Sequence, residues 1–131
     1  MTARVLDTNI VSYIIKRHSL AVVYQPHITS CSLVVSFQTI GELTEGGVSA
    51  GWGHAKWTRL SSVLASITIF HSNDNICYRW TEIRLARRSQ PIAVADAWIA
   101  ATALAYNLEL VTHKPADFAA IPGLTVITEA P

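Results

Sequence analysis

Short apolar runs alternate along the chain with longer segments in which apolar residues recur every three or four positions. The short runs predict β-strands over residues 3–6, 33–36, 66–70, 108–112 and 124–127. Because helical segments separate these runs, the pattern indicates βα units and a parallel sheet. The strands are short and almost wholly apolar, which is typical of a sheet buried on both faces. We therefore predict an α/β fold with a central parallel sheet.

The segments between the strands predict six helices. Two features set their expected ends: the second helix, residues 20–27, should stop near Pro26, and the glycine-rich segment 46–53 should form a bend after a helix over residues 37–44. The remaining helices are expected over residues 8–17, 54–65, 73–89 and 96–106. No repeat or linker interrupts the pattern, so we expect a single domain over residues 1–131.

The composition and the net charge of the chain exclude few classes of function. Half of the 131 residues are apolar and the formal net charge is +1, so no global basic field indicates a nucleic-acid partner. The start of the chain is not typical of a signal peptide, and no apolar run is long enough to span a bilayer. The spacing of Cys31 and Cys77 leaves a disulfide open, but two free thiols are the commoner arrangement for sparse cysteines. We expect a cytoplasmic protein that does not enter a membrane.

Four of the nine acidic residues follow predicted strands or begin predicted helices. Asp7 directly follows the first strand, Glu42 lies six residues past the second, and Asp96 is the one charge in an alanine-rich helix. Asp117 follows the fourth strand across a short loop. Each residue alone has an ordinary interpretation, because Asp7 and Asp96 are typical helix N-caps, Glu42 a typical surface residue and Asp117 a typical turn residue.

Taken together, the four acids indicate a metal site. The carboxyl ends of parallel strands meet at one edge of a sheet, so residues that follow them converge. Clustered carboxylates repel one another unless a cation neutralises them, and hard oxygen ligands suit Mg²⁺ or Mn²⁺. Such ions stabilise charge on a phosphodiester and activate the attacking water. The sequence therefore suggests metal-assisted phosphodiester hydrolysis.

Several ordered segments carry a resemblance to a known family. Four of them resemble, in their order and spacing, the signature of PIN domains: Asp7-Thr8-Asn9, Gly41-Glu42-Leu43, Asp96-Ala97-Trp98-Ile99-Ala100-Ala101, and Leu110-Val111-Thr112 with Asp117-Phe118. A fifth segment, Ile121-Pro122-Gly123-Leu124, is similar to the ending of VapC-type toxins. The resemblance implies a three-layer α/β/α fold and a Mg²⁺- or Mn²⁺-dependent endoribonuclease. It also implies a homodimer, a VapB-like antitoxin whose tail covers the active site, and an RNA substrate of the transfer RNA or ribosomal RNA class.

The same resemblance assigns roles to individual residues. Asp7, Glu42, Asp96 and Asp117 would form the acidic pocket, with Asp7 and Asp96 as the principal metal ligands and Glu42 completing the metal shell or orienting water. Asn9 and Thr112 would fix the carboxylates by hydrogen bonds. Relatives often carry Asn two residues after that threonine, where this chain has Lys114. The lysine could contact phosphate, pair with Asp117 or weaken metal binding.

Other features leave alternatives open. Arg84, Arg87 and Arg88 have i, i+3, i+4 spacing on a predicted helix, which fits either a basic strip for phosphates or a solvated face. Asp7-Thr8-Asn9 also resembles the opening motif of haloacid-dehalogenase-like phosphatases, although Asn9 stands where that motif has a second Asp. A third possibility is a catalytically degenerate PIN fold that only binds RNA or protein.

Overall fold

A five-stranded parallel sheet forms the centre of the computed structural model, which describes residues 2–131. Its strands are β1 (Ala3–Leu6), β2 (Ser32–Ser36), β3 (Thr68–Phe70), β4 (Glu109–Val111) and β5 (Val126–Ile127). They lie in the order β3-β2-β1-β4-β5, and every neighbouring pair is parallel. The predicted α/β fold with a central parallel sheet is confirmed.

Helices cover both faces of the sheet. Within the described residues they are α1 (Thr8–Lys16), α2 (Ser19–Ile28), α3 (Phe37–Ser49), α4 (His54–Leu64), α5 (Asp74–Ala86) and α6 (Val94–Ala105), with a short 3-10 helix over Pro115–Phe118. Successive strand residues point to opposite faces. Val5 therefore packs with α5 and α6, whereas Leu6 packs with α1, α2 and α4. This arrangement gives the three layers expected.

The strand order creates a crevice between β1 and β4. The chain runs from β1 outward through β2 and β3, and then crosses to the other side of β1 to form β4 and β5. Open parallel sheets bind ligands at such a reversal, outside the carboxyl ends of the strands. Leu6 lies beside Val111 in the register, so the residues after the two strands face each other across the crevice.

The predicted end of α2 is confirmed to within one residue, whereas the predicted end of α3 is wrong. Helix α2 includes Pro26 and continues to Ile28, because the proline lies near its end, where one lost backbone hydrogen bond is offset by the burial of Tyr24 and Ile28. Helix α3 continues through the glycines to Ser49, so the bend begins only after it. Within this helix, position 47 must be glycine because the Trp52 and Trp57 rings occupy the space of a side chain, with a Trp57 ring carbon 2.6 Å from where a Cβ would lie.

Two other boundaries bear on the candidate site. Helix α5 ends at Ala86 rather than near residue 89, because Arg87 adopts a non-helical conformation as its C-cap. Helix α6 begins at Val94, two residues before Asp96. Asp96 is therefore not the N-cap of its helix, and that interpretation is wrong. Among the helices of residues 2–131, none is long and apolar enough to cross a membrane.

Candidate active site

Asp7 lies in the crevice between β1 and β4 and is held there by two hydrogen bonds. The Thr8 amide donates to its Oδ1 at 2.8 Å, and the Thr112 hydroxyl donates to its Oδ2 at 2.7 Å. Asp7 is also the N-cap of α1, so its structural and site roles coincide. Burial raises the pKa of its carboxyl, and the bond from Thr112 is the largest opposing influence.

Glu42 approaches Asp7 from α3 and is held by threonines that the sequence reasoning missed. The Thr8 hydroxyl donates to Oε1 of Glu42 at 2.6 Å. Thr8 lies 2.9 Å from the hydroxyl of Thr39, which is completely buried. Since the one proton of Thr8 goes to Glu42, Thr39 donates to Thr8. The available signal was the i, i+3 spacing of Thr39 and Glu42, which places both on one face of α3.

Asp96 lies in the first turn of α6, and the other acids influence its ionisation. Its pKa is raised from 3.8 to about 6, mainly because burial removes water and also because Asp7, Asp117 and Glu42 are negatively charged. Lys114 acts in the opposite direction. No hydrogen bond or ion pair to the Asp96 carboxylate occurs within residues 2–131. The structure thus brings the other three predicted acids within electrostatic reach of Asp96.

An aromatic cluster of Phe37, Trp80 and Trp98 joins α6 to α3 and α5. Trp98 stacks on Trp80 with ring centroids 4.8 Å apart, and the Phe37 ring meets Trp98 at 5.8 Å. Trp98 packs against the buried cluster that includes Ile83. Asp96 lies two positions before Trp98, so the two side chains point away from each other, and the cluster packs the helices together rather than lining the acidic site.

Asp117 is the most exposed of the four acids. It lies on the 3-10 helix, which is anchored by the buried Phe118 side chain. Arg87 donates to the carbonyl oxygens of Asp117 at 3.4 Å and Ala119 at 2.8 Å. The backbone of this segment is therefore held against the end of α5 by Arg87. These bonds fix the backbone position from which the Asp117 side chain extends.

Lys114 lies beside the acids, although its side chain is exposed. Its charge lowers the pKa of both Asp7 and Asp96. Its backbone amide donates to Oγ1 of Thr112 at 3.0 Å. An ion pair between Lys114 and Asp117 is absent from the described part of the chain. Of the three expectations for this lysine, a contact with phosphate and a weakened metal site therefore stay predictions.

The remaining predicted site residues are placed differently. Asn9 is half-buried beside the acids, and within residues 2–131 it makes no hydrogen bond to a carboxylate. Arg84 lies over the Trp80 ring, 5.1 Å from its centroid, Arg87 ties down the 3-10 helix, and Arg88 lies beyond the end of α5. The three arginines do not form the single helical strip that their spacing predicts. A contact of any of them with RNA stays a prediction.

The donor set of this site fits a hydrated divalent cation. The four acids offer carboxylate oxygens, and their mutual repulsion is what a cation would relieve. Within residues 2–131, however, no group of three or more His, Cys, Asp or Glu side chains has the arrangement of a metal-binding cluster. Mg²⁺ commonly binds through only one or two carboxylates and keeps several water ligands, so a partial protein shell suits it.

Comparisons with known proteins agree with this geometry. The family model described as "PIN domain" matches residues 4–124. Ribonuclease VapC1 of Haemophilus influenzae is 28% identical over 124 residues, which cover 91% of this chain and 92% of the relative. Ribonuclease VapC4 of Mycobacterium tuberculosis is 33% identical over 100 residues, which cover 72% of this chain and 75% of the relative.

Solved structures show the same architecture. VapBC-1 from nontypeable Haemophilus influenzae aligns with a TM-score of 0.79 at 26% identity, covering 97% of this chain and 98% of that one. DNA-bound VapBC from Salmonella typhimurium aligns with a TM-score of 0.77 at 26% identity, covering 98% of both chains. VapBC2 from Rickettsia felis, at 24% identity, gives a TM-score of 0.83 over 97% of this chain and 98% of its own and supports the fold alone.

Proposed function

This chain belongs to the PIN-domain family, and we propose that it is a metal-dependent endoribonuclease acting as the toxin of a VapBC-type pair. The observation that carries the proposal is the convergence of Asp7, Glu42, Asp96 and Asp117 at the crevice between β1 and β4. The pKa of Asp96 is raised mainly by burial and further by the negative charges of Asp7, Asp117 and Glu42, so the four acids interact electrostatically at Asp96. The names of the relatives supply the substrate class, since they are ribonucleases.

In the proposed mechanism, Asp7 and Asp96 would hold Mg²⁺ or Mn²⁺, and Glu42 and Asp117 would complete the acidic pocket. The bound ion would stabilise negative charge on the phosphodiester and make a water molecule more acidic. Thr8 and Thr112 fix the Asp7 carboxylate. Thr8 also engages Oε1 of Glu42, which leaves Oε2 to orient the attacking water or accept its proton.

The proposed partners follow from the family. Solved neighbours are named as VapBC toxin–antitoxin complexes, which supports a VapB-like antitoxin as the partner of this chain. We further propose a homodimer, a cytoplasmic location, a single domain over residues 1–131 and an RNA of the transfer RNA or ribosomal RNA class. The choice between Mg²⁺ and Mn²⁺ is part of the test.

The decisive experiment is cleavage of a mixed pool of structured RNAs by the wild-type protein and by Asp7→Asn, with Mg²⁺, Mn²⁺ or EDTA. We expect cleavage that requires the divalent cation and is lost in Asp7→Asn. Asp74→Asn is the matched control, because Asp74 is an exposed acid at the start of α5. If the wild-type protein binds the cation but cuts no RNA, the degenerate PIN alternative replaces the nuclease.

The phosphatase alternative is not favoured by any feature of the site. Asn9 carries no carboxyl group to act as the general acid that the alternative requires. The PIN-domain match also extends over residues 4–124, which include all four acids. We therefore propose no second enzyme class.

A further inference from the structure

A groove between α1 and α3 opens directly from the acidic site. It has a volume of about 270 Å³ and is lined by Thr8 and Glu42 at one end and by Lys16 at the other. Thr8 and Glu42 also belong to the acidic site, where Thr8 donates to Glu42. The groove and the acidic site therefore adjoin at these two residues.

One wall of the groove presents unused polar groups from a single helix face. Asn9, Ser12 and Lys16 have i, i+3, i+7 spacing on α1, which places their side chains in one row of about 10 Å. Within residues 2–131 none of the three side chains has a hydrogen-bond or ion-pair partner. An amide, a hydroxyl and an ammonium group are the side chains that commonly bind phosphate and sugar oxygens.

The opposite wall leaves space and ends in an aromatic ring. Gly46 and Ala50 line it with little bulk, and a Cβ on Gly46 would meet nothing within 4 Å. Trp52 is half-buried and held edge-to-face against Trp57, with centroids 5.2 Å apart. Its carbonyl accepts a hydrogen bond from the Trp57 ring nitrogen at 3.1 Å. A fixed aromatic face of this kind can stack on an unpaired base.

We propose that this groove is a nucleotide subsite that binds the single-stranded RNA segment next to the scissile phosphate. Lys16 contacts a flanking phosphate, Asn9 and Ser12 contact phosphate or sugar oxygens, and Trp52 stacks on a base. The proposal rests on the proposed nuclease function and adds the path of the substrate. RNA suits the groove better than an acidic peptide, because the groove combines a row of groups that bind phosphate and sugar oxygens with an aromatic ring on which a base can stack.

Binding should be measured apart from cleavage. The probe is a fluorescent single-stranded RNA of about 12 nucleotides of mixed sequence, titrated by anisotropy against proteins that all carry Asp96→Asn. We expect Lys16→Gln to raise the dissociation constant by roughly threefold to tenfold and to reduce the salt slope by about one. Lys56→Gln, which removes the same charge from an exposed position on α4, should change neither quantity.

A second variant fills the groove without removing a charge. Gly46→Leu places a side chain in open space and should weaken binding by about tenfold or more, because it blocks a stacked nucleotide. Thr44→Leu adds the same side chain at an exposed position of α3 that does not line the groove. A photoreactive 4-thiouridine in the probe should crosslink to the segment around Trp52.

Specific outcomes would overturn the subsite. The first is an equal change of RNA affinity in Lys16→Gln and Lys56→Gln. The second is an equal change of RNA affinity in Gly46→Leu and Thr44→Leu, and the third is a probe that does not bind at all. If Gly46→Leu leaves RNA affinity intact but weakens the binding of a protein partner, the groove is a protein site. In these cases metal-dependent cleavage by the wild-type protein would still support the nuclease, whereas its absence would remove both proposals.

Discussion

The hydroxyl of Thr112 lies 2.7 Å from Oδ2 of Asp7, although 105 positions separate the two residues in the chain. The contact exists because β1 and β4 are neighbours in the sheet, with Leu6 beside Val111. Thr112 also accepts the Lys114 amide at 3.0 Å, so its proton is directed to Asp7. The sheet itself therefore fixes the orientation of a proposed metal ligand.

Removing this hydroxyl should affect both stability and metal binding. We expect Thr112→Val to lower the free energy of unfolding by about 1–3 kcal/mol, because it leaves Oδ2 of Asp7 and the Lys114 amide without their partner in a buried site. Cation affinity should also fall, since the Asp7 carboxylate loses the bond that favours its charged form. Urea unfolding and a cation titration measure the two effects. Thr112→Ser keeps the hydroxyl and should remain near wild type, and a fully active, stable Thr112→Val would contradict the assignment.

The raised pKa of Asp96 predicts a pH-dependent stability of the metal-free protein. The folded state keeps this proton up to about pH 6, whereas the unfolded chain releases it near pH 3.8, so stability falls as pH rises between these values. Asp96→Asn removes the effect and should stabilise the metal-free protein at neutral pH by about 1 kcal/mol, discounted because the carboxyl is partly solvated.

Urea unfolding in EDTA at several pH values tests this expectation. The difference between Asp96→Asn and the wild-type protein should grow from about pH 4 to pH 6 and then level off. The variant should also fold normally while losing cleavage, because Asp96 is not the cap of α6. A variant that unfolds would instead assign Asp96 a structural role.

Divalent cations should stabilise the wild-type protein more than its site variants. An ion that binds only the folded state adds about 2.7 kcal/mol at a concentration of about 100 times its dissociation constant. We expect Mg²⁺ or Mn²⁺ to raise the melting temperature of the wild-type protein and of Asp74→Asn, but not that of Asp96→Asn. An equal rise in all three proteins would show that the ion binds elsewhere.

The two adjacent glycines of α3 should respond oppositely to alanine. Gly47→Ala places a Cβ 2.6 Å from the Trp57 ring and 2.7 Å from the Trp52 ring, so it should destabilise the protein by about 1–3 kcal/mol. Gly46→Ala enters open space in a helix and should stabilise it by about 0.5–1 kcal/mol. Thermal unfolding compares them directly, and a neutral Gly47→Ala would mean that the tryptophans repack.

Substitutions of the adjacent residues Arg87 and Arg88 should have different effects on stability and on the segment that carries Asp117. Arg87→Ala removes the hydrogen bond to Ala119 and should cost about 1 kcal/mol of stability and loosen the segment that carries Asp117. Hydrogen exchange of residues 115–119 reports the loosening. Arg88→Ala should leave that exchange unchanged. A loss of RNA affinity in Arg88→Ala would revive its predicted role with phosphate.

The sequence by itself determined the architecture and the identity of the acids. Alternating short strands and helices require a parallel sheet, because each strand must be followed by a crossover before the next can pair. Burial on both faces made the strands easy to find. Asp7, Glu42, Asp96 and Asp117 could be selected because each follows a strand or enters an otherwise apolar helix, and these are local properties of the chain.

Tertiary structure alone decided most of the hydrogen-bond partners of the site residues and where several helices end. Pro26 stays inside a helix because of burial at Tyr24 and Ile28, and position 47 must be glycine because two indole rings pack against it. Thr39 and Arg87 acquired their roles from neighbours that the order of strands and helices supplies, whereas the resemblance had already implied that Thr112 holds a carboxylate. A local pattern records which face of an element is buried. It does not record which element covers that face, and hydrogen bonds between distant residues depend on that choice.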